Sequence, residues 1–236
     1  MPQPTNSPAR RLLITAGPTH EPIDAVRFIG NRSSGRMGVA MAEAAAKAGW
    51  NVTLALGPVS SRPVDSYIRV LQFRTAAELD TILLAEAPAA DVLIMAAAVA
   101  DYRPKLDPAM VNSKFRRKDQ AMTLELEPTP DLLAGVSSRR RQGQYLVGFA
   151  LEPRDEMLAS GRAKLERKGV DMVVANPLGT MESGDIEGVV LTRGGGEIRP
   201  SMQDGARDGK LSKDAFAKWL IALIADEATR ASQKLH

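Results

Sequence analysis

The 236-residue chain has no cysteine and only two histidines, His20 and the terminal His236. Disulfides, thiolate metal sites and a cysteine nucleophile are therefore excluded. Almost no material remains for a Ser-His-Asp triad or a histidine metal centre. Aromatic residues make up 4% of the chain, and no recognition helix or stacking platform accompanies its basic clusters. Nucleic acid is thus not an expected partner, despite a pI near 9.3. No apolar run approaches the roughly 18 residues that would suggest a bilayer span; Ile94–Ala100 is far too short. Residues 1–8 are polar and lack the apolar stretch of a secretory signal, so the expectation is a cytoplasmic protein without membrane contact. Neither G-x-G-x-x-G nor G-x-x-x-x-G-K-[ST] occurs. Gly30 and Gly35 have the spacing of the second motif, but Arg36-Met37 replaces its Lys-Ser/Thr.

What is present is an alternation of apolar runs and helical patterns in a chain of ordinary composition, 44% hydrophobic and 25% charged, with net charge +3. Strands are expected at Arg11–Ala16, Asn51–Leu56, Ile68–Gln72, Val92–Ala97, Gln144–Ala150 and Asp171–Ala175. Helices are expected at Gly35–Ala48, Ala76–Ala87, Asp131–Arg140 and Asp155–Lys168, with Thr75 and Thr129 as N-caps and Gly49 as a stop. Continuous apolar strands separated by helices predict an α/β, Rossmann-like fold, with a mostly parallel sheet and helices on both faces. The pattern breaks between Tyr102 and Glu127, where alternating Thr123–Glu127 predicts a projecting β flap. It breaks again at Leu178–Arg199, where Glu187–Arg193 and Glu197–Arg199 flank three glycines as a hairpin. A last helix, Lys213–Arg230, carries Phe216, Trp219, Leu220 and Leu223 on one stripe. The expected organisation is a flexible tail over 1–10 and one domain over 11–230.

Ligands of open α/β sheets bind beyond the carboxyl ends of the strands, and the unusual segments of this chain all follow such ends. Ser33-Ser34-Gly35 opens a helix, where free amides and the helix dipole favour phosphate, although a plain capping turn uses the same residues. Arg27 and Asn31 on the preceding loop favour a ligand. Asp101 follows small residues that let a flat base or ribose approach the backbone, and it could hold a metal or a hydroxyl. Lys114–Lys118 reads either as a solvated basic turn or as a lysine-bearing flap closing on polyphosphate. Lys164 and Lys168, at i and i+4, share a helix face that serves a salt-bridged surface equally well. This inventory of lysines, Asp, Asn and backbone amides suits phosphoryl or nucleotidyl transfer with magnesium, whose ligands the sequence does not identify.

These residues resemble the phosphopantothenate–cysteine ligase (phosphopantothenoylcysteine synthetase) family. The matching segments are AGPTHEPIDAVRFIGNRSSGRMG at 16–38, AAAVADYRP at 96–104, KFRR at 114–117, TPDLLAGV at 129–136, VGFALE at 147–152 and KLERKGVDMVVANP at 164–177. The resemblance implies a two-step ligation in coenzyme A biosynthesis. The carboxylate of 4'-phosphopantothenate attacks the α-phosphate of CTP (ATP in other branches), giving an acyl-nucleotidylate and pyrophosphate, and L-cysteine then displaces the nucleotide. It also implies a homodimer in which the flap contributes to the interface. Carried over residue by residue, Asn31 handles the acyl-nucleotidylate and Lys114 neutralises phosphate charge; Arg27, on the same loop, is expected with Asn31 on the substrate side. Ser33, Ser34, Gly35, Met95, Ala96, Ala97, Asp101, Pro130, Asp131, Leu132, Leu133, Phe149, Lys164 and Lys168 contact nucleotide, the 95–97 segment through its backbone.

The chain departs from the family pattern where Lys114-Phe115-Arg116-Arg117 stands for K-x-K-K, Gly17-Pro18-Thr19 for Gly-Gly-Thr and Thr129-Pro130-Asp131 for Asn-Pro-Asp. A flavin-dependent decarboxylase that often precedes this domain has no counterpart here, which predicts a stand-alone ligase without flavin. The competing expectations are a nicotinamide-dependent Rossmann-like oxidoreductase and a non-catalytic nucleotide-binding module. The oxidoreductase requires an acidic residue ending the second strand, which instead ends Leu56-Gly57-Pro58.

Overall fold

The apolar runs assemble into one eight-stranded sheet in the computed structural model, which describes residues 9–105, 114, 116, 119, 121–180 and 183–233. Residues 1–8 of the expected tail and Phe115, Arg117 and Lys118 of the basic segment lie outside the described residues. In chain order the sheet strands are β1 (Arg11–Ala16), β2 (Asn51–Leu56), β3 (Arg69–Gln72), β4 (Val92–Met95), β5 (Tyr145–Glu152), β6 (Met172–Pro177), β7 (Val189–Thr192) and β8 (Glu197–Ile198). Six of them are parallel, in the spatial order 3-2-1-4-5-6, and β7 and β8 continue antiparallel beyond β6. This is the strand order of a doubly wound sheet, which reverses direction between β1 and β4.

The strand sequences explain why both faces are covered. Leu12, Ile14 and Ala16 of β1 point into one buried layer, while Leu13 points into the other. The alternation repeats along β4 (Val92 and Ile94 against Leu93 and Met95) and β6 (Met172 and Val174 against Val173 and Ala175). Helices α1 (Arg36–Lys47) and α5 (Lys213–Gln233) close the first layer, with Met41, Ala45, Phe216 and Leu220 at 0% exposure. Helices α2 (Ala76–Glu86), α3 (Leu132–Ser138) and α4 (Met157–Lys168) close the second through Leu79, Val136 and Leu165. Each fully buried Leu or Ile contributes about 1.5–3 kcal/mol relative to exposure, so the two layers dominate stability. The small residues of α1 let it approach closely: a Cβ on Gly38 would lie 2.2 Å from that of Ala16.

Several boundaries differ from the sequence expectation. The fourth strand ends at Met95 because Ala96–Ala98 leave the ladder to meet the loop after β1, with a single bridge between Pro18 and Ala98. Thr75 caps α2 as expected, accepting from the Glu78 amide at 3.2 Å. Thr129 does not cap α3. Asp131 does, accepting from the Ala134 amide at 3.0 Å, while the Thr129 hydroxyl donates to the Ala100 carbonyl. The flap pairing is Tyr102–Pro104 with Leu126–Pro128, shifted from Thr123–Glu127, and ion pairs Arg103–Glu127 and Lys105–Glu125 fasten it. Arg10 is anchored rather than loose: its guanidinium donates to the Ala225 carbonyl and lies over Trp50.

Candidate functional site

The crevice at the β1/β4 reversal is built from two loops stitched together by buried threonines. Beyond β1, Gly17 turns with φ +83°, and its carbonyl accepts the Ala98 amide at 2.9 Å. The Thr15 hydroxyl accepts the Ala97 amide (3.1 Å), the Thr15 carbonyl accepts the Ala96 amide (3.1 Å) and the Thr19 hydroxyl accepts the Ala100 amide (3.0 Å). Both threonines are fully buried. The amides of Ala96, Ala97, Ala98 and Ala100 are therefore occupied, and a backbone contact from Ala96 or Ala97 to a ligand falls to their carbonyl oxygens.

The segment between β1 and α1 forms a hairpin, His20–Pro22 against Phe28–Gly30. Its turn is held by Asp24, which is buried and accepts the amides of Val26 and Arg27 and the Arg27 guanidinium. Arg27 is exposed and fastened to Asp24. Glu21, 2% exposed, accepts the first amide of α2 at Ala76 (2.8 Å), so the hairpin is bolted to the second helix. The His20 ring stacks on Phe28, 3.6 Å between centroids, and burial together with the Arg74 charge holds its pKa below the ordinary histidine value. It is a neutral packing residue. At the end of the hairpin Asn31 reaches across the reversal, its Nδ2 donating to the Val99 carbonyl at 3.0 Å. One of its two amide hydrogens is used in this way; the other, and Oδ1, have no partner among the described residues and can meet a ligand.

Gly35 takes the αL conformation (φ +69°), which glycine adopts without strain, and caps α1 without any side-chain hydrogen bond. The Ser33 hydroxyl accepts the Gly35 amide at 3.4 Å, and Ser34 is exposed. The first-turn amides of α1 thus open beyond the end of β1, where the Gly38–Ala16 contact places them.

The other side of the crevice carries the cations. Lys164 of α4 donates to the Phe149 carbonyl near the end of β5. Burial pushes its pKa below the ordinary lysine value, against the pull of Glu152 and Asp101. Lys168 pairs with Asp131, the cap of α3. The i, i+4 lysines therefore have separate partners. Asp101 is exposed, and its carbonyl accepts the Thr129 amide at 2.9 Å. Pro130 and Asp131 precede α3. Leu132 and Leu133 are buried in the second core layer, which takes their side chains away from a ligand, and Phe149 is half-buried.

The structure thus brings Asn31, Met95, Ala96, Ala97 and Asp101 to one crevice, with Lys164 close enough to feel Asp101. Lys114 is exposed and, among the described residues, is tied to this rim by no hydrogen bond or ion pair. Also among the described residues, no group of three His, Asp or Glu could hold a metal ion. Sequence reasoning missed Thr15, Glu21 and Asp24. Their signal was a polar residue inside an apolar run, or a carboxylate in a loop with little else to solvate it.

A doubly wound sheet whose strand order reverses between β1 and β4 defines a Rossmann-like α/β domain, a class whose ligands bind beyond the strand ends at such a reversal. Residues 8–226 match the DNA/pantothenate metabolism flavoprotein C-terminal domain family, and the chain belongs to it. This bears out the resemblance to phosphopantothenate–cysteine ligases at the level of the family. The chain is 40% identical over 231 residues to the coenzyme A biosynthesis bifunctional protein CoaBC of Mycobacterium tuberculosis, covering 92% of this chain and 54% of that protein. It is also 47% identical over 169 residues to a cysteine/cysteine sulfinic acid decarboxylase of an unknown prokaryotic organism, covering 72% and 46% respectively. The chain spans about half the length of the curated relatives it matches. A crystal structure of the C-terminal domain of a CoaBC protein superposes with TM-score 0.73 at 32% identity, covering 91% of this chain and 93% of that one. A Cab2 H337A mutant in complex with phosphopantothenate-cysteine has the same fold, with TM-score 0.77 at 18% identity and 95% and 88% coverage.

Proposed function

We propose that the chain catalyses the ligation of 4'-phosphopantothenate to L-cysteine through an acyl-cytidylate. The observation that carries this reading is the Asn31 carboxamide, pinned across the sheet reversal to the Val99 carbonyl, with its second N–H unpartnered among the described residues. A carboxylate is a poor acyl donor. Attack of its oxygen on the α-phosphate of CTP expels pyrophosphate and gives a mixed anhydride; the amine of cysteine then attacks the acyl carbon, the nucleoside monophosphate leaves and the amine loses a proton. Asn31 donates its free N–H to the acyl oxygen as negative charge develops there. Lys164, held at the crevice wall by the Phe149 carbonyl and in no ion pair among the described residues, attracts the nucleotide phosphates. Lys168 joins it once Asp131 yields, and Lys114 adds charge from the flap side.

Carbonyl acceptors at Ala96 and Ala97 suit the exocyclic amine of a base, which cytosine and adenine both carry. Magnesium is held chiefly by the triphosphate in such reactions, and Asp101, an exposed carboxylate in no ion pair among the described residues, would complete its oxygen ligands, the metal supplying charge that offsets the phosphates. A homodimer is part of the proposal. The hairpin and the flap ribbon lie against each other and expose Val26, Phe28, Tyr102 and Leu126, apolar side chains of the kind that a second copy covers.

The deciding experiment is pyrophosphate release by the purified chain given 4'-phosphopantothenate and magnesium, comparing CTP with ATP, with and without L-cysteine. Release that depends on the acid, and amide product that depends on cysteine, support the reading. No release with either nucleotide refutes it.

A further inference from the structure

A second cleft, of about 450 Å³, lies between the outer face of α1, the segment at 61–64 and the start of α5. Apart from Arg36, whose amide belongs to the first turn of α1, none of the crevice residues described above lines it. Its floor is α1, where Arg36, Ala40, Glu43 and Lys47 follow at helical spacing, about 16 Å end to end at 1.5 Å per residue. Five cationic side chains face the cleft, Arg36, Lys47, Arg62, Lys213 and Lys218, against two carboxylates, Glu43 and Asp214.

Those carboxylates leave most of the positive charge uncovered. Glu43 is engaged by the amides of Val64 and Asp65 through Oε1 and by Lys47 at 3.7 Å through Oε2. The Arg62 guanidinium is fixed by the carbonyls of Val59 and Ser61 rather than by an acid. Among the described residues Arg36, Arg62, Lys213 and Lys218 form no ion pair. Lys213 is half-buried, and burial together with the facing charge of Arg36 holds its ammonium below the ordinary lysine value. Two like charges are thus set against each other with no ion pair to either among the described residues, an arrangement that a bound anion relieves. Val39, Ala40, Ala44 and Val64 give the cleft an apolar patch, and Ser61, Gly184 and Ser212 complete the lining.

We propose that this cleft is a second binding site, for a phosphate ester whose multiply charged head meets Arg36, Lys213, Lys218 and Arg62 while its organic body lies on Val39, Ala40, Ala44 and Val64. The volume falls within the range of small-molecule sites. A single carboxylate would leave most of the cations unneutralised, whereas a phosphate dianion accepts several charge-assisted hydrogen bonds, including the paired donors of a guanidinium. The site does not depend on the ligase reading, because none of its side chains serves that reaction.

The test is calorimetric titration of the full chain at low salt with inorganic phosphate, the head alone, and with phenyl phosphate, head plus apolar body. Phenyl phosphate binds more tightly than inorganic phosphate. Lys213→Gln with Lys218→Gln weakens it by about tenfold or more, as expected for two charged hydrogen-bond donors, while the crevice variant Lys164→Gln stays within about twofold. Val64→Asp, at a residue 91% exposed, weakens binding without touching the core. Thermal melting of each variant confirms that it is folded. The proposal is overturned if neither probe binds at millimolar concentration, if the two bind equally, or if Lys164→Gln loses as much as the cleft pair.

Discussion

Replacing Asn31 with aspartate separates the mechanical role of this residue from its chemical one. The two side chains have the same size, but a carboxylate oxygen then stands where Nδ2 now donates to the Val99 carbonyl at 3.0 Å. Two acceptors repel at that distance, so Asn31→Asp loses both the tie across the crevice and the donor aimed at the substrate. The tie is exposed, and losing an exposed hydrogen bond costs about 0.5–1.5 kcal/mol. For a domain of this size that lowers the melting temperature by about 1–6 °C. Losing a donor to a developing oxyanion is a larger effect, about 100- to 1000-fold in rate. The assay is the initial rate of pyrophosphate release with 4'-phosphopantothenate and CTP, run beside calorimetric CTP binding without the acid. The expected pattern is a small fall in melting temperature, CTP affinity within about threefold and a rate loss above 100-fold. A variant that keeps wild-type turnover removes Asn31 from the chemistry. One whose rate and CTP affinity fall together would make Asn31 a loop anchor only.

Gly38→Ala puts a Cβ 2.2 Å from that of Ala16. Overpacking of about 1–3 kcal/mol exceeds the roughly 1 kcal/mol that alanine returns in helix propensity. Urea unfolding is expected to show a net loss, and a more stable variant would mean that α1 shifts freely. Because burial lowers the Lys164 pKa in the fold, the unfolded chain binds that proton more tightly. Stability therefore rises with pH from the lowered value up to the ordinary 10.5, while below that window the group's destabilising contribution is fully present and constant. Lys164→Met abolishes this rise, and unfolding curves of the two proteins that run parallel from pH 7 to pH 10.5 would contradict it. Lys114→Gln slows ligation by about tenfold or more if its charge meets phosphate; steady-state rates unchanged by the substitution would transfer that role elsewhere. Phe28→Ser with Leu126→Ser is expected to convert a dimer into a folded monomer by sedimentation velocity, and a wild-type protein that sediments as a monomer defeats the homodimer proposal.

The sheet was legible in the sequence because its strands are buried on both faces and read as unbroken apolar runs. The Leu12–Ala16 and Met172–Ala175 stretches needed no partner to be recognised. Strand order was not legible, since side-chain pattern says which residues are buried but not which neighbour buries them. The crevice was half legible. Asn31, Asp101 and the 95–97 segment follow strand ends, and the fold carries them to one place. The threonine stitching was not readable: Thr15 and Thr19 find their partners about 80 residues away, and no local pattern encodes that distance. Thr129 misled because a threonine before a helix is an N-cap by local rules, whereas the tertiary structure gave its hydroxyl the Ala100 carbonyl and left the cap to Asp131.

The stitched amides also bear on the thermodynamics of ligand capture. A crevice lip whose hydrogen bonds close on themselves is preorganised, and docking a nucleotide there does not have to freeze the backbone first. The entropy lost on binding falls on the ligand's own torsions and on a few lysine side chains. The accompanying heat-capacity change should then scale with dehydration of the ligand, with no added term for ordering a segment of chain.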